Sequence, residues 1–420
     1  MDLTSSHETA PPSGVPSLDR PVLHLDPGDD LHRDAAIMRA AGPVVAVELP
    51  GGIRAWAVTH NYTARQVLRD SATFRKESSY WRALQDGEVP ADWPLMALAA
   101  PAGRSMITVD GADHAALRGP LATVFTEKRI RALRPEIEAL TSRYLDQLAD
   151  TAAASEGVAD FREILAWPLP MTVIGHMLGV PDQAHGELRA LYDVFFDDTQ
   201  DPTSAVAGIQ HFIARLVEEK RREHGPGLIS DLLRLPEGQG FTTEELVATV
   251  QVLIAAGHET TVHLLVNGVL ALTSHPGQLA LLQQSKVTWE RAVEEILRFE
   301  PPTANFLFRF AVEDTSVEGV RIRKGDPVLV SYIAMGRDPR RFGPQAGEFV
   351  IERLGSHTSF GHGPHVCIGA PLARLEGRIV LQQLFERWPR LTVAADAPRS
   401  PSVLMNSRTH LNLRLWGDAA

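Results

Sequence analysis

The sequence predicts a mainly α-helical protein with small β-sheets, and three observations carry that prediction. Apolar residues recur at helical spacing through most of the chain from about 112 to 299, and again at about 370–387. One of these patterns, about 243–273, is apolar nearly all round, which marks a helix inside the molecule rather than on its surface. Strand-like alternation is confined to short stretches near 44–58, 306–330 and 390–416.

Taken in order, residues 1–20 are rich in Ser, Pro and acid and read as a flexible tail. Val44 to Val58 flank Pro50-Gly51-Gly52 with two apolar runs, the pattern of a hairpin. Tyr62 to Leu68 is a short helix. Residues 81–108 carry Trp81, Pro90, Trp93, Pro94, Pro101 and Gly103, which interrupt every period, so a long irregular loop is expected there. Helices follow at about 112–148, 159–178, 183–197 and 203–223. The central one, about 243–273, opens on Thr242 and Glu245 in a capping-box pattern and stops before Pro276. It spans roughly 45 Å. A helix at 288–299 ends at Pro301-Pro302, strands occupy 306–312 and 320–330, and 339–352 is irregular. A glycine-bearing loop, 355–369, precedes a helix at 370–387, and the tail forms short strands. No break in composition divides residues 21–420, so one large domain is expected.

Composition excludes several classes of function. The 420 residues carry a net charge of -11, with a pI near 5.8, which argues against nucleic acid as the main partner. A single cysteine rules out an intrachain disulfide. No run of about 18 apolar residues offers a membrane span, and the N-terminus lacks the pattern of a secretory signal. Together these point to the cytoplasm.

The chemistry concentrates around the cysteine. Cys367 stands just before a helix, where backbone N–H groups favour thiolate over thiol, and thiolate is the form that binds metal. Phe360, Gly361, Gly363, His365 and Gly369 frame it. Glycines there let a flat cofactor and the backbone approach closely. On the central helix, Ala256-Gly257-His258-Glu259-Thr260-Thr261 sets a mid-helix Gly and a carboxylate in a buried context, both costly without a reason. Glu295 and Arg298 share a helix face at i, i+3. Alone, each feature has a bland reading: a small buried Cys, a Thr bonded back to its own helix, a solvated ion pair.

Together they resemble the cytochrome P450 family. Phe360-x-x-Gly363-x-x-x-Cys367-x-Gly369 is similar to its haem-binding signature, Ala256 to Thr261 to its oxygen-activation motif, and Glu295-x-x-Arg298 to its buried ion pair, for which Arg353 is the natural third member. The resemblance covers about residues 22–416. It implies haem b with Cys367 as iron ligand. His114, Arg118, Arg309 and His365 resemble the family's propionate contacts, and Phe360, Gly361 and Gly369 flank the cofactor. Ala256 and Gly257 leave room for haem and dioxygen, and Glu259 and Thr260 deliver protons.

The resemblance further implies monooxygenation, with electrons from a ferredoxin and a ferredoxin reductase, as in soluble bacterial members. Lys128, Arg129, Arg131, Arg134, Arg340, Arg341, Arg374 and Arg378 cluster in segments expected on the Cys side and would receive an acidic ferredoxin. Substrate contacts are expected from Trp81, Trp93, Met96, Phe195, Phe196, Ala256, Thr303, Phe306, Leu404 and Met405, a lining suited to a bulky apolar or aromatic secondary metabolite. Oxidative coupling of phenols, indoles or cyclic dipeptides is an alternative outcome. A haem-thiolate sensor or binding protein is a more distant one.

Overall fold

The computed structural model describes residues 16–416 apart from 102, 197–198, 237–239 and 396. Most of the expected tail therefore lies outside the described residues. Among the described residues helices dominate, with three small sheets. The central helix runs Thr243–Ser274, and its capping box is complete: Thr242 accepts from the Glu245 N–H while the Glu245 carboxylate accepts from the Thr242 N–H. The helices Arg134–Ala154, Pro168–Leu178, Thr203–Arg222, Trp289–Phe299 and Ala370–Arg387 contribute with it to the largest apolar core.

The six-stranded sheet has the order Leu23–His24, Val44–Leu49, Ile53–Val58, Pro327–Ser331, Asn305–Ala311, Phe74–Arg75. The expected hairpin is its second and third strands, paired from Val44 with Val58 to Leu49 with Ile53. The tail supplies Thr392–Val393 and Asn412–Arg414 to a three-stranded sheet with Val158–Asp160.

Several boundaries differ from the sequence reading, each for a local reason. The pattern at 112–148 is three helices, Gly111–Val124, Glu127–Ala132 and Arg134–Ala154. Thr126 caps the second through the Arg129 N–H, and Pro135 opens the third. The pattern at 159–178 starts as a strand, passes through a π-helical turn at Arg162–Ala166, and becomes a helix only at Pro168. The stretch 81–108 is not wholly irregular. It holds one-turn helices at Arg82–Gln85 and Met96–Ala99, pinned by buried Trp81, Val89, Trp93 and Leu95. Short helices at Leu228–Leu233, Pro276–Gln283 and Tyr332–Gly336 were too brief to show a period.

Candidate active site

The loop before Ala370–Arg387 presents Cys367. Gly361 and Gly363 both have φ of 77°, a conformation that other residues rarely adopt. A Cβ on Gly363 would also lie 2.9 Å from Arg69 Cα and from the Leu68 carbonyl. That glycine thus lets the loop seat against the helix Asn61–Arg69. The Cys367 N–H donates to the Phe360 carbonyl at 2.8 Å, which closes the loop. A Cβ on Gly369 would come to 3.8 Å from Cys367 Sγ.

Cys367 reaches a water-accessible surface but is recessed. Burial pushes its thiol up, against the N–H groups of Gly369 and Ala370 and the charges of Arg118 and Arg374. The helix N-terminus therefore favours thiolate without securing it. Metal binding would complete the deprotonation. Phe360 stacks beneath the Arg374 guanidinium, 4.6 Å from its ring centre.

The loop is braced from behind by a buried ion network. Arg298 grips both oxygens of Glu295 at 2.7 Å and donates to the carbonyls of Gly336, Ala346 and Glu348. Arg353 Nε adds a contact to Glu295 at 3.4 Å. Every donor of this buried pair is used, as a desolvated pair requires.

The four residues resembling propionate contacts converge. The rings of His114 and His365 lie 4.2 Å apart. His365 Nε2 is 2.7 Å from Asp110, and Arg309 is 3.7 Å from the same carboxylate. Arg118 donates to the Val366 carbonyl at 2.6 Å. Burial, then the charges of His365 and Arg118, lowers the His114 pKa to about 4, and its Nε2 is buried with no partner. Two further members escaped the sequence reading. Asp110 precedes the helix carrying His114; burial would raise its pKa, but His365, the Lys76 N–H and Arg309 bring it down to about 2. Lys76 donates to the Phe308 carbonyl at 2.7 Å, and burial with Arg309 beside it brings its pKa down to about 7. Nothing in the Arg75-Lys76 dipeptide signals that role. A surplus of nitrogen donors over one carboxylate, with an orphaned imidazole nitrogen among them, fits a cofactor bearing two carboxylates.

Glu259 and Thr260, neighbours in sequence, face different cavities. Thr260 lines an apolar cavity of about 370 Å³, and its Oγ1 donates to the Ala256 carbonyl at 2.7 Å. The bond back to its own helix is therefore made, which leaves the oxygen lone pairs as acceptors. Glu259 is buried and lines a separate polar cavity of about 250 Å³ with Arg162, Asp193, His263 and Ser407. His263 Nε2 is 3.1 Å from its carboxylate, His258 Nδ1 3.6 Å and Arg162 3.7 Å. Burial alone would raise the Glu259 pKa; the charges around it, His263 first, hold it near 2. Burial brings His258 down to about 4. Phe196 and Met405 line both cavities, so the two adjoin across these side chains.

A Cβ on Gly257 would meet Ile174 Cδ1 at 3.3 Å, so this glycine lets the helix Pro168–Leu178 pack close. One expected contact is corrected. Trp81 is fully buried in an aromatic core, 5.6 Å from Phe310, 5.3 Å from Phe308 and 5.9 Å from Trp93. It does not reach the apolar cavity. Trp93, Met96, Phe195 and Phe196 line that cavity on one side. Ala256, Thr303, Phe306, Leu404 and Met405 line it elsewhere. Asn305, Gln251 and Asp201 also line it and were missed, because no period or motif singles out a polar residue facing an apolar space.

A recessed cysteine on a glycine loop, braced by a buried Glu-Arg pair and set among carboxylate-binding cations, defines a haem-thiolate type of site. The comparisons agree. The family described as Cytochrome P450 matches residues 171–407, and the chain belongs to the cytochrome P450 family. It is 39% identical to cytochrome P450 monooxygenase PikC of Streptomyces venezuelae, over 94% of this chain and 91% of that protein. It is 36% identical to the 2-hydroxy-5-methyl-1-naphthoate 7-hydroxylase of Streptomyces carzinostaticus, over 94% of this chain and 98% of that protein. The solved structure of testosterone-bound CYP154C4 from Streptomyces sp. ATCC 11861 superposes with a TM-score of 0.89 at 42% identity, covering 94% of this chain and 98% of that one. The protein is thus an oxidoreductase, which sets the sensor reading aside. Among the described residues no helix is long and apolar enough to cross a membrane.

Proposed function

We propose that this protein hydroxylates a bulky, largely apolar molecule with dioxygen, using electrons from a ferredoxin and its reductase in the cytoplasm. The observation that carries this reading is the apolar cavity bounded by Ala256 and Thr260 of the central helix. Its size and lining suit a fused-ring or macrocyclic scaffold. That a naphthoate hydroxylase and a testosterone-bound enzyme are relatives supports the fused-ring part of that range.

Haem b would be held by Cys367 through iron, with His114, Arg118, Arg309, His365 and Lys76 on its propionates. Bound haem supplies the activation of dioxygen and the oxidation of a C–H bond. The chain's own groups orient and protonate. Glu259, ionised at neutral pH, takes protons from the polar cavity and relays them rather than storing them. Thr260 Oγ1, its hydrogen committed to the Ala256 carbonyl, accepts a hydrogen bond from the apolar side and fixes where the proton is handed over. Phe196 and Met405 keep the organic molecule apart from the water that feeds Glu259.

For the ferredoxin, the basic face is smaller than the sequence suggested. Arg129 pairs with Asp231, Arg131 with Glu127, Arg134 with Glu138, Arg374 with Glu294 and Arg378 with Glu290. Exposed Lys128 and Arg340 are the better candidates to meet an acidic partner. The test is turnover with ferredoxin, reductase and a panel of macrolactones and steroids, read by product mass. A gain of one oxygen is expected. Joined partners that have lost hydrogen and gained no oxygen would instead establish oxidative coupling.

A further inference from the structure

Among the described residues lining the apolar cavity, Asn305 Oδ1 is the buried polar side-chain atom that lacks a hydrogen-bond partner. The residue is 2% exposed. Its other amide atom is committed: Nδ2 donates to the Val403 carbonyl at 2.7 Å. Its backbone is committed too, with the N–H donating to the Leu404 carbonyl at 3.2 Å and the residue paired with Ser331 in the six-stranded sheet.

These contacts fix the amide. Rotated by half a turn, it would press Oδ1 against the Val403 carbonyl, acceptor on acceptor, so the oxygen cannot be exchanged for the nitrogen. A buried acceptor left unpaired is unfavourable, and a cavity that contains one discriminates strongly between ligands that can and cannot satisfy it. Two other polar groups of the lining are differently placed. Thr260 Oγ1 donates to the Ala256 carbonyl, and Asp201 accepts from the Thr203 N–H and hydroxyl at the start of the helix Thr203–Arg222.

Resting on the reading of this cavity as the substrate pocket, we propose that Asn305 selects substrates that present a hydrogen-bond donor on an otherwise apolar scaffold. The accepted group is a hydroxyl, and the matching ketone is rejected. An alcohol donates its O–H to Oδ1; a ketone brings a second acceptor toward an oxygen that cannot turn away. Asn305 is thus a specificity-determining residue that takes no part in proton delivery.

The haem-loaded protein is titrated with two matched pairs, borneol against camphor and a monohydroxy androstane against the corresponding ketone. Binding is read by the spin-state shift of the Soret band and, independently, by the rise in melting temperature. In the wild type the alcohol of each pair that binds is expected to have a Kd about tenfold lower than its ketone, the size of one hydrogen bond. Asn305→Leu should bring the two within twofold. Because Asn305→Leu also loses the Val403 contact, Asn305→Ala is measured alongside, with the unliganded melting temperature of each variant; it removes the acceptor without adding bulk and should likewise bring the two within twofold. Equal affinities in the wild type, or a preference unchanged in Asn305→Leu, would overturn the proposal while leaving the pocket reading intact. Failure of every member of both pairs to bind would overturn the pocket reading and this proposal with it.

Discussion

The two walls of the site are built in opposite ways. The wall carrying Cys367 comes from one continuous loop and helix, with a backbone forced by positive φ at Gly361 and Gly363 and a buried Glu295–Arg298–Arg353 network behind it. The wall of the apolar cavity is assembled from five distant stretches, around Met96, Phe196, Ala256, Phe306 and Met405, held mostly by apolar contact. The first leaves few alternatives at each position. The second accepts many residues of similar size. The cysteine loop is thus fixed locally, and the shape of the cavity is set by packing between parts of the chain far apart in sequence.

The largest test of this contrast is Glu295→Ala. It strands buried Arg298 and should destabilise the protein by about 3–5 kcal/mol. Urea unfolding midpoints and the haem content of the purified protein measure it. Full haem content with an unchanged midpoint would show that the loop does not need its brace. Next is Thr260→Ala, which should cut product formed per NADPH consumed by a factor on the order of ten to a hundred. Released peroxide should make up the difference, and substrate Kd should stay within twofold. Unchanged coupling would mean that protons reach the apolar side without Thr260.

Third is Glu376, on the helix that follows the cysteine. Both of its carboxyl oxygens are buried without partners, and burial raises its pKa from 4.5 to about 8. The folded protein therefore binds a proton that the unfolded chain releases between those values. Its contribution to stability is complete below pH 4.5 and is lost as pH rises through about 8. Glu376→Gln should melt increasingly above wild type as the pH goes from 5 to 8, by about a few degrees at the upper end. A constant difference across that range would show that Glu376 does not titrate there. The smallest effect is expected from Lys128→Glu with Arg340→Glu, which should raise the ferredoxin concentration for half-maximal turnover several-fold at low salt and less at high salt.

The same contrast explains what the sequence made legible. Cys367, the Glu295–Arg298 pair and the central helix announce themselves, because each is a short pattern whose physical demand is local. The capping box at Thr242 is legible for the same reason. Trp81 misled because an aromatic residue in a loop can face a ligand or a core, and only its contacts with Phe308 and Phe310 decide. The packing neighbour of Gly257, Ile174, was not legible because it lies on another helix. Asn305 and Lys76 were silent. Their meaning lies in carbonyls at Val403 and Phe308, nearly a hundred and more than two hundred residues away.

The side-by-side placement of Glu259 and Thr260 has a consequence for how such a protein can change over generations. One lines the polar cavity and the other the apolar cavity, and Phe196 and Met405 line both. Substitutions at Met96, Val206 or Thr303 can reshape the organic side without touching His258, His263 or Arg162. A lineage can therefore reshape the apolar cavity one side chain at a time while the charge network around Glu259 stays intact.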